Sequence, residues 1–328
     1  ALAVTNDGNS DLQPDWAWFK KRSGSESHAL FDTSRGIDRF VISDTNAVEQ
    51  HQPTTGNTDA DDIASFDSDG FTFQGGGGAI NQSSNTYVAW QWKANGGTTS
   101  SNTDGTVTTT VQVNSTAGFS IVTWTGNGSA TGTVGHGLGA KPNVIFNKMR
   151  DDGQNWGVAF PFYETSKLLT LNSNSDFSSA SGMSGYNAST FIDGNGGGSN
   201  TIIAYCFKDV QGYSKFGKLT GNGLADGPYV HTGFKPAWVM IKETAASGSW
   251  HIFDNKRKIG NVNDSILYAD LSDDEATSQT GNPIDMLSNG FKCRGGGNDT
   301  NLDTGSYVYM AFAESPFVSS EGVPTTAR

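Results

Sequence analysis

The chain of 328 residues carries a formal net charge of −12, from 33 acidic and 21 basic residues, and only 16% of it is charged. Phosphate neutralisation needs clustered Lys and Arg, so nucleic acid is excluded as an expected partner, and a bare anionic membrane is disfavoured for the same reason. No apolar run approaches the roughly eighteen residues of a spanning helix, so membrane insertion is not expected.

The 42 glycines, with abundant Ser, Thr and Asn, break the chain into short segments of strand length. In chain order, alternation of period two marks Asp15–Lys21, Thr86–Trp92, Val107–Val113, Gly118–Trp124, Pro142–Lys148, Ala237–Glu243 and Ser306–Phe312 as strands. Asp69-Gly70 and Asn289-Gly290 predict hairpins, because type I′ turns need positive φ at both central residues. No stretch shows helical periodicity over three turns. Asp254–Gln279 is the longest segment without alternation and predicts an excursion loop or a short helix. Residues 94–117, rich in Gly, Ser and Thr, predict a linker running into an edge strand.

These elements recur. Pro14 opens PDWAWFKKR and Pro236 opens PAWVMIKET, an offset of 222 residues that also separates Asp32 from Asp254 and Arg35 from Arg257. SDGF at Ser68–Phe71 and SNGF at Ser288–Phe291 follow at an offset of 220, as do Tyr87 and Tyr307. A more diverged middle copy opens at Pro142, places Trp156 where the third copy has Trp250, and closes with TIIAYCF at Thr201–Phe207. In it Phe160 stands where the outer copies have aspartate. GFSIVTWTGNG (Gly118–Gly128) and GYSKFGKLTGNG (Gly212–Gly223) precede the second and third copies. Residue 1 enters the first copy downstream of that element, which predicts a longer parent chain. Fixed-order self-similarity at a period near a hundred residues indicates duplicated small domains. The expected modules are 1–97, incomplete at its start, 118–211, shortened, and 212–328, with 98–117 as linker and edge strand.

Each chemical candidate has a competing structural reading. Asp32 with Arg35, and Asp254 with Arg257, offer acceptor and donor to a sugar, although a pair three residues apart more often ties a turn. Trp156 and Trp250 join them as candidate ligand-binding residues. Trp16/Trp18 and Trp90/Trp92 each share one strand face, a ladder suited to sugar stacking if exposed and to a sandwich core if buried; their place in repeated strands favours the core. Asp59, Asp61, Asp62, Asp67 and Asp69 supply hard oxygen ligands for Ca²⁺. However, Gly76 replaces the bidentate Glu of an EF-hand, and a solvated acidic loop is the commoner reading. Otherwise no cofactor is expected. Gly75–Gly78 and Gly135–Gly139 lack the context of a phosphate loop. The five histidines show no paired metal spacing, and no nucleophile elbow is present, so no catalytic residue is assigned. Cys206 and Cys293 read as buried thiols rather than a disulfide.

The set PDWAWFKKRS, HALFDTSRG, SDGF and TYVAWQW, then TGNG with GHGLGAKP, then the third copy through YVYMAFAESPFVSSEGVP, resembles a family of repeat-bearing virion proteins of tailed phages. It covers nearly the whole chain from Pro14. The resemblance implies a structural or tail-fibre-like component with lectin-like sandwich modules and supplies no catalytic residues. The expectation is therefore an all-β protein of tandem antiparallel β-sandwich-like (jelly-roll or lectin-like) modules. It would be a non-enzymatic virion component with other virion proteins as partners, a homo-oligomer, most simply a trimer, whose loops would engage host glycans. A fibre-borne polysaccharide depolymerase, a capsid decoration protein and a secreted carbohydrate-binding module are the alternatives.

Overall fold

The computed structural model describes residues 2–6, 11–51, 63–178, 182–194 and 198–314, together with a two-strand ribbon formed by Phe317–Val318 and Pro324–Thr325. All sheets are antiparallel and none closes into a barrel; among the described residues the one helix is the single turn Asn298–Asn301. The all-β, sandwich-like architecture expected from the alternation is present.

Each copy contributes an inner and an outer sheet. In the first, the inner order is Gln50–His51, Gly36–Val41, Ala29–Asp32, Trp16–Lys21, Tyr87–Trp92, and the outer is Leu2–Thr5, Gly70–Phe73, Ile63–Asp67. In the third, the inner order is Leu267–Tyr268, His251–Asp254, Pro236–Glu243, Ser306–Ala313, Ser214–Thr220, and the outer is Tyr229–His231, Gly290–Cys293, Ile284–Leu287. The second has seven inner strands, ordered Leu169–Thr170, Gly157–Ala159, Val144–Met149, Thr201–Phe207, Phe119–Thr125, Thr109–Asn114, Ser100–Asn102, under a two-stranded outer sheet of Thr133–Gly135 and Thr190–Ile192.

The central inner strands Trp16–Lys21, Val144–Met149, Thr201–Phe207 and Pro236–Glu243 are buried on both faces, which explains their near-continuous hydrophobicity. One face of each inner sheet packs beneath its own outer sheet: Ala17, Phe19 and Phe31 with Phe71 and Phe73 in the first module, Val122 and Trp124 with Phe191 in the second, Tyr307 and Tyr309 with Phe291 in the third. The other faces of all three meet in one core. At one end of it the equivalent residues Trp92, Phe207 and Phe312 form a closed triangle, with centroid separations of 6.3, 5.6 and 5.8 Å. The modules therefore sit around a pseudo-threefold axis, and no module has a complete core of its own. Trp16, Trp18, Trp90 and Trp92 lie in this shared core, as the reading of their strands favoured.

Three local expectations are modified. Both hairpins form one residue earlier than expected: Asp67 pairs with Gly70 and Leu287 with Gly290, leaving Ser68-Asp69 and Ser288-Asn289 as the loops. Gly70 keeps a positive φ of 109° just after its turn, and both glycines serve close approach, since a Cβ on Gly70 would lie 2.0 Å from Val4 O, and one on Gly290 2.0 Å from Val230 O. The stretch 94–117 contains two inner strands, Ser100–Asn102 at the sheet edge and Thr109–Asn114 beside it. It is pinned to the first module, where Asp15 accepts from the amides of Ala94, Gly96 and Gly97 and Gln112 Nε2 donates to Thr33 and Ser34. The segment 254–279 is an excursion loop carrying the short strand Leu267–Tyr268 and no helix.

Candidate functional site

The chemistry-bearing residues picked out by the repeat converge on the interfaces between modules. An eight-residue segment of each module lies along the next: 42–49 of the first against the second, 170–177 of the second against the third, 268–275 of the third against the first. At the first position of each segment a backbone carbonyl meets a ring nitrogen across the interface. Trp156 Nε1 donates to Ile42 O at 2.7 Å, Trp250 Nε1 to Thr170 O at 2.9 Å, and His28 Nε2 lies 2.9 Å from Tyr268 O. Four residues on, a buried lysine from the same neighbour reaches in. Lys148 donates to Asn46 O at 3.4 Å, Lys242 to Asn174 O at 3.2 Å and Lys20 to Ser272 O at 3.2 Å. Each ammonium also donates to the carbonyl of its own next residue, Met149, Glu243 and Lys21. Burial pulls all three down to about 8 against the pull of nearby carboxylates, so each remains charged at neutral pH and held by carbonyl oxygens. The last position closes the contact through the backbone: Glu49 N donates to Arg150 O, Phe177 N to Thr244 O, and Glu275 N to Arg22 O.

Around that last position two interfaces build the same ionic lock. Between the first and second modules Asp32 Oδ2 accepts from Arg35 Nε at 2.5 Å and from Tyr205 OH of the second module at 2.8 Å. Arg35 also contacts Glu49 at 3.1 Å and donates to Leu30 O at 2.8 Å. Glu49 then accepts a two-pronged contact from Arg150 of the second module at 2.7 and 2.8 Å. Between the third and first modules, Asp254 Oδ2 accepts from Arg257 Nε at 2.5 Å and from Trp90 Nε1 at 3.0 Å. Arg257 contacts Glu275 at 2.7 Å and donates to Ile252 O at 2.8 Å, and Arg22 meets Glu275 at 2.8 Å. Arg257 also stands over the Trp90 ring, 5.7 Å from its centroid. Burial alone would lower the Arg35 pKa, but Asp32, Tyr205 and Glu49 outweigh it and hold the guanidinium above its ordinary range. Burial would likewise raise Glu49, yet Arg150 and Arg35 bring it down to about 2. Tyr205, desolvated first and then faced by carboxylates, is raised well above an ordinary phenol.

The third interface replaces every member of the lock at once. Phe160, Tyr163 and Phe177 occupy the positions of the aspartate, arginine and glutamate, and Met310 and Thr244 those of Tyr205 and Arg150. Tyr163 stacks on Phe177 at 5.4 Å, Phe160 stacks on Trp250 at 6.4 Å, and Tyr163 OH hydrogen-bonds Ser306 Oγ at 2.9 Å. Phe160 thus belongs to a matched apolar substitution, so the middle copy has exchanged one kind of contact for another.

The six candidate ligand-binding residues all lie at module interfaces: Asp32, Arg35 and Trp156 between the first and second modules, Asp254 and Arg257 between the third and first, and Trp250 between the second and third, with their side chains buried and their polar atoms bonded to protein. Of the calcium candidates, Asp59, Asp61 and Asp62 lie outside the described residues. Asp67 accepts from Ser65 Oγ and Thr72 Oγ1, and Asp69 from the amide of Leu12, so both stabilise the outer sheet of the first module. Among the described residues no group of three or more His, Cys, Asp or Glu side chains is placed to hold a metal. Cys206 and Cys293 are free, buried thiols, each raised by burial to about 12. Sequence reasoning missed Glu49, Glu275, Arg22, Arg150 and Tyr205, whose partners lie in other modules. It also passed over Lys20, Lys148 and Lys242, although each stands six residues after the proline that opens its copy.

Fold and interfaces together define an all-β protein of three repeats locked cyclically around a shared core. The chain belongs to the family described as a domain of unknown function, DUF7483, whose model matches residues 4–316. No curated protein and no solved structure matches it.

Proposed function

We propose that the protein is a non-enzymatic structural component of a tailed-phage virion, tail-fibre-like or otherwise surface-exposed, that engages host glycans through its loops. The observation that carries this reading is the fate of the repeated polar residues. Asp32, Arg35, Asp254 and Arg257 hold modules together, so what the repeats preserve is architecture. A shared core and interlocked modules make local opening of the described scaffold costly. The net charge of −12 and the resemblance of the repeated motifs to virion proteins point the same way. Ligand contact then falls to loops that differ between copies.

The reading is tested on particles from the producing culture. Gold-labelled antibody against the chain should decorate the particle exterior, and the protein should co-purify with particles through a density gradient. Its recovery only as free secreted protein would overturn the virion assignment. Steady release of reducing ends from host envelope polysaccharide would overturn the non-enzymatic part and favour a depolymerase.

A further inference from the structure

The outer sheet of the third module carries on its solvent face a set of side chains that its counterparts lack. Along Tyr229–His231 the middle residue Val230 enters the core, so Tyr229 and His231 face outward. Tyr229 lies opposite Lys292 and His231 opposite Gly290, with Asp285 on the far side of Lys292. In the first module Val4 pairs with Phe71 as Val230 pairs with Phe291. That register puts Ala3 and Thr5 at the positions of Tyr229 and His231, and Thr72 at that of Lys292. In the second, Val134 pairs with Phe191, and Thr133 and Gly135 take the positions of Tyr229 and His231. The third copy thus replaces small neutral residues by an aromatic ring and charge.

The Tyr229 ring is held against the sheet. It reaches diagonally over Gly290, where a Cβ would come within 3.0 Å of both Tyr229 Cε2 and OH. Its hydroxyl is fixed beyond that glycine, donating to Asn289 Oδ1 at 2.6 Å, with Asn289 O at 3.0 Å and His231 Nδ1 at 3.4 Å. The residue nevertheless stays 44% exposed, so ring surface is open to solvent. Beside it stands Asp226, whose Oδ1 meets Lys292 Nζ at 2.5 Å and Arg294 Nη1 at 3.8 Å, although its side chain is 81% exposed. The loop carrying Asp226 is seated on the same sheet: Gly227 N donates to Cys293 O at 3.2 Å, and Cys293 N to Pro228 O at 3.1 Å. Arg294 Nε also contacts Asp285 at 3.2 Å, so two cations are balanced by two carboxylates.

We infer that this face binds a neutral pyranose sugar, with Tyr229 as the stacking platform and the Asp226–Lys292 pair as the clamp on its hydroxyls. The inference rests on the glycan-engaging reading above and names its site. The C–H face of a pyranose packs on an aromatic ring, and a ring already tied at its hydroxyl loses little freedom on binding. Two adjacent sugar hydroxyls match the ion pair: one donates to the Asp226 carboxylate and the other accepts from the Lys292 ammonium. The balanced charge selects a neutral sugar, because a ligand carboxylate would meet Asp226. An exposed ion pair of this kind contributes little to folding. Asp226 also sits in a loop that differs between copies: TGNGLADG in the third has TGNGSATG as its counterpart in the second, with Thr131 in its place.

The test is a ligand-observed NMR titration of the whole chain with the methyl glycosides of glucose, galactose, mannose and N-acetylglucosamine, and with that of N-acetylneuraminic acid as the acidic control. At least one neutral glycoside should bind saturably in the millimolar range, with the protons of one ring face receiving most saturation. Tyr229→Ala should weaken that binding by about tenfold or more, and Asp226→Asn by about fivefold. Because the Asp226 side chain is 81% exposed, Asp226→Asn reads binding even if Tyr229→Ala misfolds. Binding of the acidic glycoside only, or neutral binding unchanged in Asp226→Asn, would overturn the inference. Retention of the protein on immobilised host envelope polysaccharide separates this site from the broader reading. Equal retention of the parent and both variants would overturn the site and leave glycan engagement standing. No retention, together with no glycoside binding, would overturn both.

Discussion

Asp32→Ala tests whether the ionic lock holds the modules. The substitution removes the partner of Arg35 Nε, the acceptor of the Ser34 and Arg35 amides, and the acceptor of Tyr205 OH, all in a site where the Asp32 and Arg35 side chains are fully buried. Breaking a buried ion pair by removing one partner costs about 3–5 kcal/mol. Arg35 keeps Glu49 at 3.1 Å and the Leu30 carbonyl, which moves the expectation toward the lower end, while the orphaned amides move it back, so the expected loss is roughly 4 kcal/mol. With an unfolding entropy of about 2.1 cal/mol/K per residue over 328 residues, the thermal midpoint should fall by roughly 6 °C. The companion variant copies the third interface into the first: Asp32→Phe, Arg35→Tyr, Glu49→Phe, Tyr205→Met and Arg150→Thr together. Replacing a buried ionic group by well-packed apolar residues is commonly neutral or stabilising, so this five-fold variant should lie within about 2 kcal/mol of the parent. Urea denaturation followed by tryptophan fluorescence measures both. A loss below about 1 kcal/mol for Asp32→Ala, or a five-fold variant no more stable than the single one, would refute the reasoning.

Other consequences are equally measurable. Gly70→Ala and Gly290→Ala each place a Cβ 2.0 Å from a carbonyl oxygen of the facing edge strand, so about 1–3 kcal/mol should be lost, with faster hydrogen exchange in Leu2–Thr5 and Tyr229–His231 respectively. Burial depresses His28 to about 3, and Arg150 and Arg35 overcome burial to bring Glu49 to about 2. Both groups therefore contribute stability that is present above their unfolded values of about 6.5 and 4.5 and is lost as pH falls through the folded ones. Asp44 and Asp270, raised by burial, titrate the other way and soften this loss. The three lysines at about 8 bind fewer protons folded than unfolded from there toward pH 10, so stability should rise over that interval. A urea midpoint that stayed flat from pH 7 down to pH 3 would contradict the acid half. Finally, Cys206 and Cys293, buried and raised to about 12, should resist a thiol reagent in the native protein and react at the rate of global unfolding. Labelling of one thiol well before the other would show that a module opens independently.

The longer inner strands, such as Trp16–Lys21, Tyr87–Trp92, Val144–Met149 and Ser306–Ala313, were legible because each is a short alternating run between glycine-rich turns, a local property, whereas shorter ones such as Ala29–Asp32 and Gly157–Ala159 were not. The partners of those strands were not. The sequence Asp15–Lys21 shows a strand, but neither that both its faces are buried nor that one of them meets two other modules. The lock residues are separated by as many as 253 positions, as in Arg22 with Glu275, so spacing along the chain carries no sign of them. Arg35 and Asp32 were visible as a pair because they are local, and their ambiguity between sugar binding and tying a turn was resolved only by the neighbours closing over them. The repeat itself carried an unused signal. Lys20, Lys148 and Lys242 keep a constant distance from the opening prolines through all three copies, more faithfully than the aspartates do.

The matched replacement at the third interface bears on how such a ring can be assembled from one ancestral unit. If the three copies had begun identical, every interface would have carried the same lock, and a single change at Asp, Arg or Glu would have left buried charge without a partner. Phe160, Tyr163, Phe177, Met310 and Thr244 lie in two different copies, yet they agree in removing that charge. Such agreement between copies is possible only when they are free to diverge within one chain; identical chains would change all three interfaces together. The pseudo-threefold closure is also complete inside the molecule, with each eight-residue segment already seated on its neighbour. An assembly of several chains would therefore have to use surface outside these interfaces.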